Sequence, residues 1–256
     1  MIIKVEEPKS VERLFMPLSD TVMSSCLQQV MGELYATQDM QSAMAILGDF
    51  SFYVGKPDEE LVKFKPSSKK SNFIIMVPQN EEWSEIIEKC YGEHAVRTVR
   101  YAIKKEDNCV FNQKQLEEAV ASLPQGYELK MMDEDLYTHC KTLNWCSDWV
   151  GNYPTYELYR NYGMGAVVLK DGEPIAGASS YSGYREGIEV EIDTKKEYRE
   201  QGFAYICASK LILECIKKGK YPSWDAANRK SLRLSKKLGY HFDKEYIAYE
   251  IDAYFS

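Results

Sequence analysis

Apolar residues recur with helix or strand spacing along most of the chain, and turn residues separate the runs. In the first half, Ser19 and Asp20 predict a helix start, and apolar positions continue one helical face to Leu34. Strands are predicted at 50–54 and 73–77. The first half is therefore predicted to be a mixture of α and β elements.

The second half has a clearer order, with a hairpin signal at Asp171-Gly172. The predicted order is a strand at 127–132, a helix at 133–143, strands at 165–170, 175–182 and 188–194, a helix at 202–218, a strand at 222–226, a helix at 228–238 and a strand at 240–251. This order predicts an α+β layer and not a doubly wound sheet. The Leu-Pro-Gln-Gly turn at 123–126 is the best domain boundary, which divides the chain into 1–125 and 126–256.

Composition restricts the classes of function. The chain is 45% hydrophobic, which is ample for a packed core, and its formal net charge is −7. A general nucleic-acid or anionic-membrane binder needs a basic field, so neither partner is expected. No apolar run approaches the roughly 20 residues of a membrane span, and the first ten residues contain no apolar segment typical of a signal peptide. We expect a cytoplasmic protein.

Cysteine and histidine spacing predicts neither disulfides nor a metal centre. The seven cysteines are scattered without a CxxC pair, and the three histidines are dispersed. Free cysteines of this kind are usually buried core residues, so we assign them a structural role.

A candidate phosphate site lies where the strand at 188–194 leads into the next helix. Backbone N–H groups at a helix start have no intrahelical partner and carry partial positive charge. Gly202 has no side chain to block a phosphate, and Arg199 adds a cation. A glycine at this position is also common in a simple turn, so this motif alone leaves both interpretations open.

A second motif on the last predicted helix strengthens the case. The first motif has Arg199, Gly202 and Ala204 in an R-x-x-G-x-A pattern. The second is N-x-x-S-x-x-L-x-x-K-x-G-Y, formed by Asn228, Ser231, Leu234, Lys237, Gly239 and Tyr240. Together they resemble the acetyl-CoA-binding core of the GNAT superfamily of N-acetyltransferases over residues 127–256. The whole chain is similar to two-part bacterial acetyltransferases of the zwittermicin A resistance type.

The resemblance implies a fold and a co-substrate. It implies a C-terminal GNAT domain with a mixed, splayed central sheet flanked by helices, after a smaller mixed α/β domain of unknown role. It implies that acetyl-CoA pairs with the strand end and binds the helix start, through Ile192, Asp193, Thr194, Arg199, Gln201, Gly202, Phe203, Ala204, Asn228 and Ser231. For Asn228, a helix N-cap is an equally good interpretation.

Attack by an amine on a thioester requires a base, and members of the superfamily often place a glutamate on this strand. Glu189, Glu191 and Asp193 alternate and so share one strand face. We expect Glu191 or Glu189 to be the base. The alternative is a solvent-facing polar stripe without a catalytic role.

The general acid departs from the family pattern. The usual tyrosine, four residues before Gly239, is Ser235 in this chain. A serine hydroxyl is a poor acid at neutral pH. Ser235 could relay a proton, or water or another tyrosine could protonate the leaving thiolate.

Aromatic residues between 145 and 162 fall where GNAT folds form the acceptor side of the cleft. Trp145, Trp149 and Tyr153 are candidate acceptor contacts, with core packing as the alternative. Asp225 could orient an ammonium group or cap the next helix.

Three functional hypotheses follow. The first is an acetyl-CoA-dependent N-acetyltransferase for a primary amine of a small molecule, with an antibiotic-like aminopolyol as one candidate. The second is a non-catalytic acyl-CoA sensor that lost the acid. The third is an interaction protein whose first half is the active part. Oligomeric state is left open, with a homodimer as one alternative.

Overall fold

The computed structural model describes residues 1–16 and 20–254. They form two compact units, which we call the first unit (Met1–Arg100 with the C-terminal segment from Glu245) and the second unit (Tyr101–Lys244). Among the described residues, no helix has both the length and the apolar character needed to cross a membrane.

Strands and helices alternate along the chain. The strands are β1 (Ile2–Lys4), β2 (Glu33–Thr37), β3 (Ser42–Leu47), β4 (Phe50–Gly55), β5 (Ile74–Pro78), β6 (Ala95–Ile103), β7 (Glu128–Met131), β8 (Ala166–Lys170), β9 (Glu173–Tyr184), β10 (Gly187–Thr194), β11 (Tyr221–Ser223), β12 (Asp225–Ala226) and β13 (Phe242–Ile251). The helices are α1 (Glu12–Phe15), α2 (Thr21–Leu27), α3 (Glu59–Lys63), α4 (Glu81–Tyr91), α5 (Gln113–Ala121), α6 (Glu134–Lys141), α7 (Tyr156–Tyr162), α8 (Phe203–Lys217) and α9 (Arg229–Leu238).

The first unit contains a sheet in the order β1-β2-β3-β4-β5-β13-β6. Its first four strands are antiparallel neighbours, β4 and β5 are parallel, and β13 runs antiparallel to β5. The core includes the fully buried Trp83 from α4 and Tyr53 from β4, whose ring centroids are 5.5 Å apart. Burial of such aromatic area is a main source of stability in this unit.

The second unit is built on a sheet in the order β11-β10-β9-β8-β7. Neighbouring strands are antiparallel except β10 and β11, which are parallel. Apolar side chains of α8, among them Phe203 and Ile206, pack with Val168, Ala178 and Val190 of the sheet. This mixture of α and β confirms the predicted fold class.

Local signals were reliable where they depend on single residues. Asp171 and Gly172 both have positive φ angles, 52° and 84°, as the predicted tight hairpin requires. Asn80, a residue type typical of helix N-caps, accepts a hydrogen bond from the Trp83 N–H at 3.1 Å. Such local chemistry therefore located turns and helix starts correctly.

The predicted helix to Leu34 is wrong beyond Leu27. Helix α2 ends there, and Leu34 lies in β2. Gly32 has φ +77° and lies so close to β3 that a Cβ would be 2.6 Å from the Ile46 carbonyl oxygen, so the backbone turns away from a helical path. The cap Asp20 is confirmed, since it accepts from the Val22 N–H, and Ser19 lies outside the described residues.

The predicted strand at 222–226 is two short strands. β11 pairs with β10, whereas β12 pairs with β6 through Asp225 and Ala102. The buried Trp224 lies between them. The chain therefore leaves the sheet of the second unit at Trp224, and this departure shapes the candidate site.

Candidate active site

The sheet of the second unit opens between β10 and β11. The two strands pair in parallel only from Gly187 with Tyr221 to Glu189 with Ser223. β10 continues to Thr194 along β9, but β11 ends at Ser223. From Val190 to Thr194, the side of β10 away from β9 therefore has no strand partner among the described residues. We call this side the open edge.

Three hydrogen bonds show which backbone groups face the open edge. The Lys195 N–H donates to the Ile175 carbonyl at 2.9 Å, so odd-numbered residues at this end of β10 bond to β9. The backbone N–H and C=O groups of the even-numbered residues point away from β9. Accordingly, the Ile192 N–H donates to Glu191 Oε1 at 3.3 Å, and the Thr194 carbonyl accepts from Arg199 Nε at 3.1 Å. The open edge can thus pair with an extended chain.

The start of α8 lies shortly after the open edge in sequence. Gly202 is its N-cap, has φ +89°, and has no side-chain cap hydrogen bond. A Cβ on Gly202 would have no atom within 4 Å, so the space above this helix start is open. The unpaired N–H groups and the helix dipole favour an anion there.

Neighbouring residues anchor this loop. Glu200 also has a left-handed φ of 65° and lies 3.6 Å from Lys230 in an ion pair. Gln201 Nε2 donates to the Glu197 carbonyl at 3.1 Å. Phe203 is buried, with its ring 4.6 Å from the ring of Tyr127, and Ala204 is half-buried. The loop is therefore fixed on its inner side and exposed on its outer side.

The α9 start is an ordinary helix cap joined to the strand before it. Asn228 Oδ1 accepts from the N–H groups of Lys230 and Ser231, which confirms the N-cap interpretation. Ser231 Oγ accepts from Trp224 Nε1 at 3.0 Å. This bond ties the helix start to the point where the chain leaves the sheet.

Ser235, the residue at the expected acid position, is fully buried. Its hydroxyl donates to the Leu232 carbonyl of the same helix at 2.9 Å. A proton given to another group would require this bond to break. The Ser235 hydroxyl is therefore already used within α9.

Glu189, Glu191 and Asp193 share one face of β10, and all three are half-buried. Their partners on β9 are Ser182, Ser179 and Gly177. The Trp149 ring covers Gly177 so closely that a Cβ there would meet it at 2.5 Å. Part of this acidic face is therefore covered by the aromatic segment instead of being open to solvent.

Asp193 is the carboxylate with the most altered acidity. Burial, followed by the nearby charge of Asp148, raises the pKa of Asp193 to about 6, while Arg199 acts in the opposite direction. The ionised form of Asp193 is thus disfavoured in the folded chain.

The candidate acceptor residues differ in accessibility. Trp149 and Tyr153 are fully buried, whereas Trp145 is half-exposed with its ring 5.0 Å from that of Trp149 in an edge-on arrangement. Asp225 is half-buried in β12. Of the three aromatic residues, Trp145 is the one available for surface contact, and the other two form a packed wall behind it.

Sequence reasoning assigned no individual role to Ser182 or Tyr184. Both hydroxyls are buried, and no protein group in the described part of the chain hydrogen-bonds to either. The two-residue turn at 185–186 places them on the face of Glu189, because it pairs Tyr184 with Gly187 and Ser182 with Glu189. Arg-Glu is not one of the residue pairs typical of such a turn, so the sequence carries no strong signal for this register.

Within residues 1–16 and 20–254, no group of three or more His, Cys, Asp or Glu side chains is arranged to hold a metal ion.

Comparison with known proteins places this geometry in a family. The GNAT acetyltransferase profile matches residues 12–249. The uncharacterized N-acetyltransferase YdfB of Bacillus subtilis is 28% identical over 204 residues, which are 78% of this chain and 72% of that protein.

Comparison with solved structures points to the same family. A GCN5-related N-acetyltransferase-like protein from Streptococcus suis is 41% identical, with a TM-score of 0.89 over 96% of this chain and 98% of that one. A tandem GNAT protein from the clavulanic acid biosynthesis pathway has a TM-score of 0.58 over 100% of this chain and 99% of that one, at 8% identity, which shows a shared fold alone. The chain therefore belongs to the GNAT acetyltransferase family and is an acyltransferase of the N-acetyltransferase type.

Proposed function

We propose that this enzyme transfers the acetyl group of acetyl-CoA to a primary amine of a small molecule. The observation that carries the proposal is the open edge of β10, followed in the chain by the uncapped start of α8. The open edge suits the amide-containing pantetheine arm, and the helix start suits the pyrophosphate. Enzymes of this family use acetyl-CoA as the acetyl donor.

The proposed donor site uses three groups of residues. Ile192, Asp193 and Thr194 provide the strand edge, while Asn228 and Ser231 border the opening from α9. The pyrophosphate would bind the loop formed by Arg199, Gln201, Gly202, Phe203 and Ala204. Arg199 uses Nε to hold the Thr194 carbonyl, which leaves its two terminal nitrogens for a phosphate oxygen.

The reaction begins with loss of a proton from the ammonium form of the acceptor. The neutral nitrogen attacks the thioester carbonyl carbon and then loses its second proton to solvent water, which gives the amide. The carbon–sulfur bond breaks, and coenzyme A leaves as a thiolate that takes up a proton. A backbone N–H of the open edge, at Ile192 or Thr194, would stabilise the developing oxyanion. Because Glu191 accepts from the Ile192 N–H, that bond must open before this N–H can serve.

Glu189 and Glu191 are the two candidate bases, since both lie where β10 and β11 part. For the leaving thiolate, we propose protonation by solvent water. Ser235 is a poor donor, because its hydroxyl is buried and bonded to Leu232.

The acceptor is proposed to be a cationic amine. The half-buried acidic face of β10 favours an ammonium group, and Trp145 offers a ring for a cation–π contact, with Trp149 and Tyr153 behind it. Asp225 is a further candidate for orienting the ammonium group. An antibiotic-like aminopolyol, as for the zwittermicin type, is a narrower hypothesis within this class.

A non-catalytic acyl-CoA sensor is the alternative, and the serine at position 235 favours it. An enzyme is distinguished from a sensor by incubating the protein with acetyl-CoA and a panel of primary amines while free thiol is measured. An enzyme releases thiol in an amine-dependent manner. Tight binding of acetyl-CoA without release above hydrolysis would reject catalysis and support the sensor.

Location, functional division of the chain and oligomeric state complete the proposal. We propose a cytoplasmic location, consistent with free thiols at all seven cysteines. A functional division at residue 125 and a homodimer also await test.

A further inference from the structure

Tyr221, Tyr240, Ser182 and Tyr184 are four buried residues with hydroxyl groups, and their hydrogen bonds divide them into two pairs. Tyr240 OH donates to the Pro222 carbonyl at 2.6 Å. Tyr221 OH donates to the Lys104 carbonyl at 3.1 Å and accepts from the Glu106 N–H at 3.2 Å. Both of these phenol hydroxyls therefore already hydrogen-bond to backbone groups. Burial raises the pKa of each, and the charge of Glu189 adds to the rise.

The other two hydroxyls, on Ser182 and Tyr184, differ in this respect. Ser182 is 0% exposed and Tyr184 is 2% exposed. Neither Ser182 Oγ nor Tyr184 OH has a hydrogen-bond partner among the described protein groups. A buried hydroxyl left unpaired is costly, so native proteins satisfy such groups with a protein partner or, where none is in reach, with an ordered water.

Strand pairing brings both hydroxyls to the face that carries Glu189. Ser182 is directly opposite Glu189, which puts their Cβ atoms about 5 Å apart. Tyr184 is opposite Gly187, and a Cβ on Gly187 would lie 2.8 Å from Tyr184 OH. The phenol therefore crosses Gly187 towards β11, on the same face as Glu189. On the Tyr184 ring lies Lys105, with Nζ 4.7 Å from the centroid.

We propose that Ser182 and Tyr184 are positioning residues that hold a water molecule against Glu189, and that Glu189 takes the acceptor's proton through this water. This inference rests on the proposed acetyl transfer and assigns the base, which that proposal left between Glu189 and Glu191. In the step, the ammonium nitrogen loses a proton to the water oxygen while the water gives a proton to Glu189. The amine becomes neutral, Glu189 becomes neutral, and the water is regenerated.

A crystal structure of the full chain at a resolution that shows waters tests the site without any need for activity. We expect a water within hydrogen-bonding distance of Ser182 Oγ, Tyr184 OH and the Glu189 carboxylate. A well-ordered region with no water there would overturn the inference.

The catalytic role is tested with Ser182→Ala, Tyr184→Phe and Glu189→Gln. The first two should each lower kcat by about tenfold, and Glu189→Gln by about a hundredfold or more. Without the water that these hydroxyls hold, the charged carboxylate loses a hydrogen bond and its pKa rises, so the acid limb of kcat/KM should move to higher pH in the first two variants. The affinity for acetyl-CoA should not change.

Ser209→Ala is the matched control. Ser209 is equally buried, and its hydroxyl likewise has no partner among the described residues, but it lies on α8 away from Glu189. We expect wild-type kcat and pH dependence for this variant. A wild-type enzyme that turns over, with both hydroxyl variants keeping its kcat and pH profile, would refute the relay alone. A wild-type chain that acetylates no amine would reject the proposed function, and the catalytic role with it.

Discussion

Gly202 is the residue on which the donor site most depends. It has a left-handed φ of +89°, which β-branched residues avoid, although the space around its Cβ position is open. A Gly202→Val variant must either carry about 1–2 kcal/mol of strain or turn the N–H groups of the helix start away. We predict at least a tenfold loss of acetyl-CoA affinity, measured by calorimetry.

Gly126→Val is the control for Gly202. Gly126 has φ +87°, its Cβ position is also open, and it lies in the turn before β7. The same strain should lower stability without changing acetyl-CoA affinity. An equal loss of affinity in both variants would show that Gly202 acts through stability and not through the helix start.

Asp193 gives a prediction about stability and pH. Its pKa rises from 3.8 to about 6 on folding, so between these pH values the folded chain holds a proton that the unfolded chain has lost. The contribution of this group to stability therefore falls as pH rises from about 4 to 6 and stays low above that range. Replacing it with asparagine should remove this loss.

We expect Asp193→Asn to gain on the order of 1–2 kcal/mol of unfolding free energy relative to wild type between pH 4.5 and pH 7.5. Urea unfolding at the two pH values measures the change. Asp171→Asn, in the exposed β8–β9 turn, should behave as wild type. A pH dependence unaltered by Asp193→Asn would contradict the burial of this carboxylate.

At the scale of elements, the central feature is the divergence of β10 and β11. The N–H groups of Ile192 and Thr194 face the open edge, whereas those of Glu191 and Asp193 face β9. Amide exchange should therefore be fast at the two even-numbered positions and slow at the two odd-numbered ones. Saturating acetyl-CoA should slow exchange at Ile192 and Thr194 if the pantetheine arm pairs with this edge. Unchanged exchange at both positions would place the arm elsewhere.

Elements defined by local chemistry could be predicted, and elements defined by distant partners could not. Three helix starts are marked by single residues, namely Asn80 before α4, Gly202 before α8 and Asn228 before α9. In contrast, every residue of β3 is buried, so it lacks the alternation that marks a strand in sequence. The break at Trp224 depends on the pairing of β12 with β6, which no local pattern records.

The candidate site shows the same division. Its two motifs, around Gly202 and Asn228, were readable because each has a fixed local spacing. The positions of Ser182 and Tyr184 beside Glu189 were not readable, since they depend on the pairing register of β9 with β10 across a turn that has no strong sequence signal. Whether an aromatic residue lines the cleft or fills the core also depends on packing, as the buried Trp149 illustrates.

For the whole molecule, net charge predicts how ionic strength affects the KM of a cationic acceptor. The chain carries a formal charge of −7, which attracts a cationic acceptor and repels acetyl-CoA. Raising salt from about 0.01 M to about 0.1 M shortens the screening length from about 30 Å to about 10 Å. We predict a several-fold higher KM for the cationic acceptor at the higher salt concentration.

An arylamine that is neutral at the assay pH provides the control for the salt experiment. Its KM should change little over the same range. Equal salt dependence for cationic and neutral acceptors would argue against the acidic surface as an attractor for the substrate.

The most direct test of the central claim is to follow the acetyl group itself. The full chain is incubated with acetyl-CoA labelled with ¹³C in the acetyl group and with a panel of primary amines, and the products are analysed by mass spectrometry. We predict an amine that becomes heavier by one labelled acetyl group, with wild-type protein but not with Gly202→Val. Bound acetyl-CoA with no labelled amine across the panel would contradict the claim.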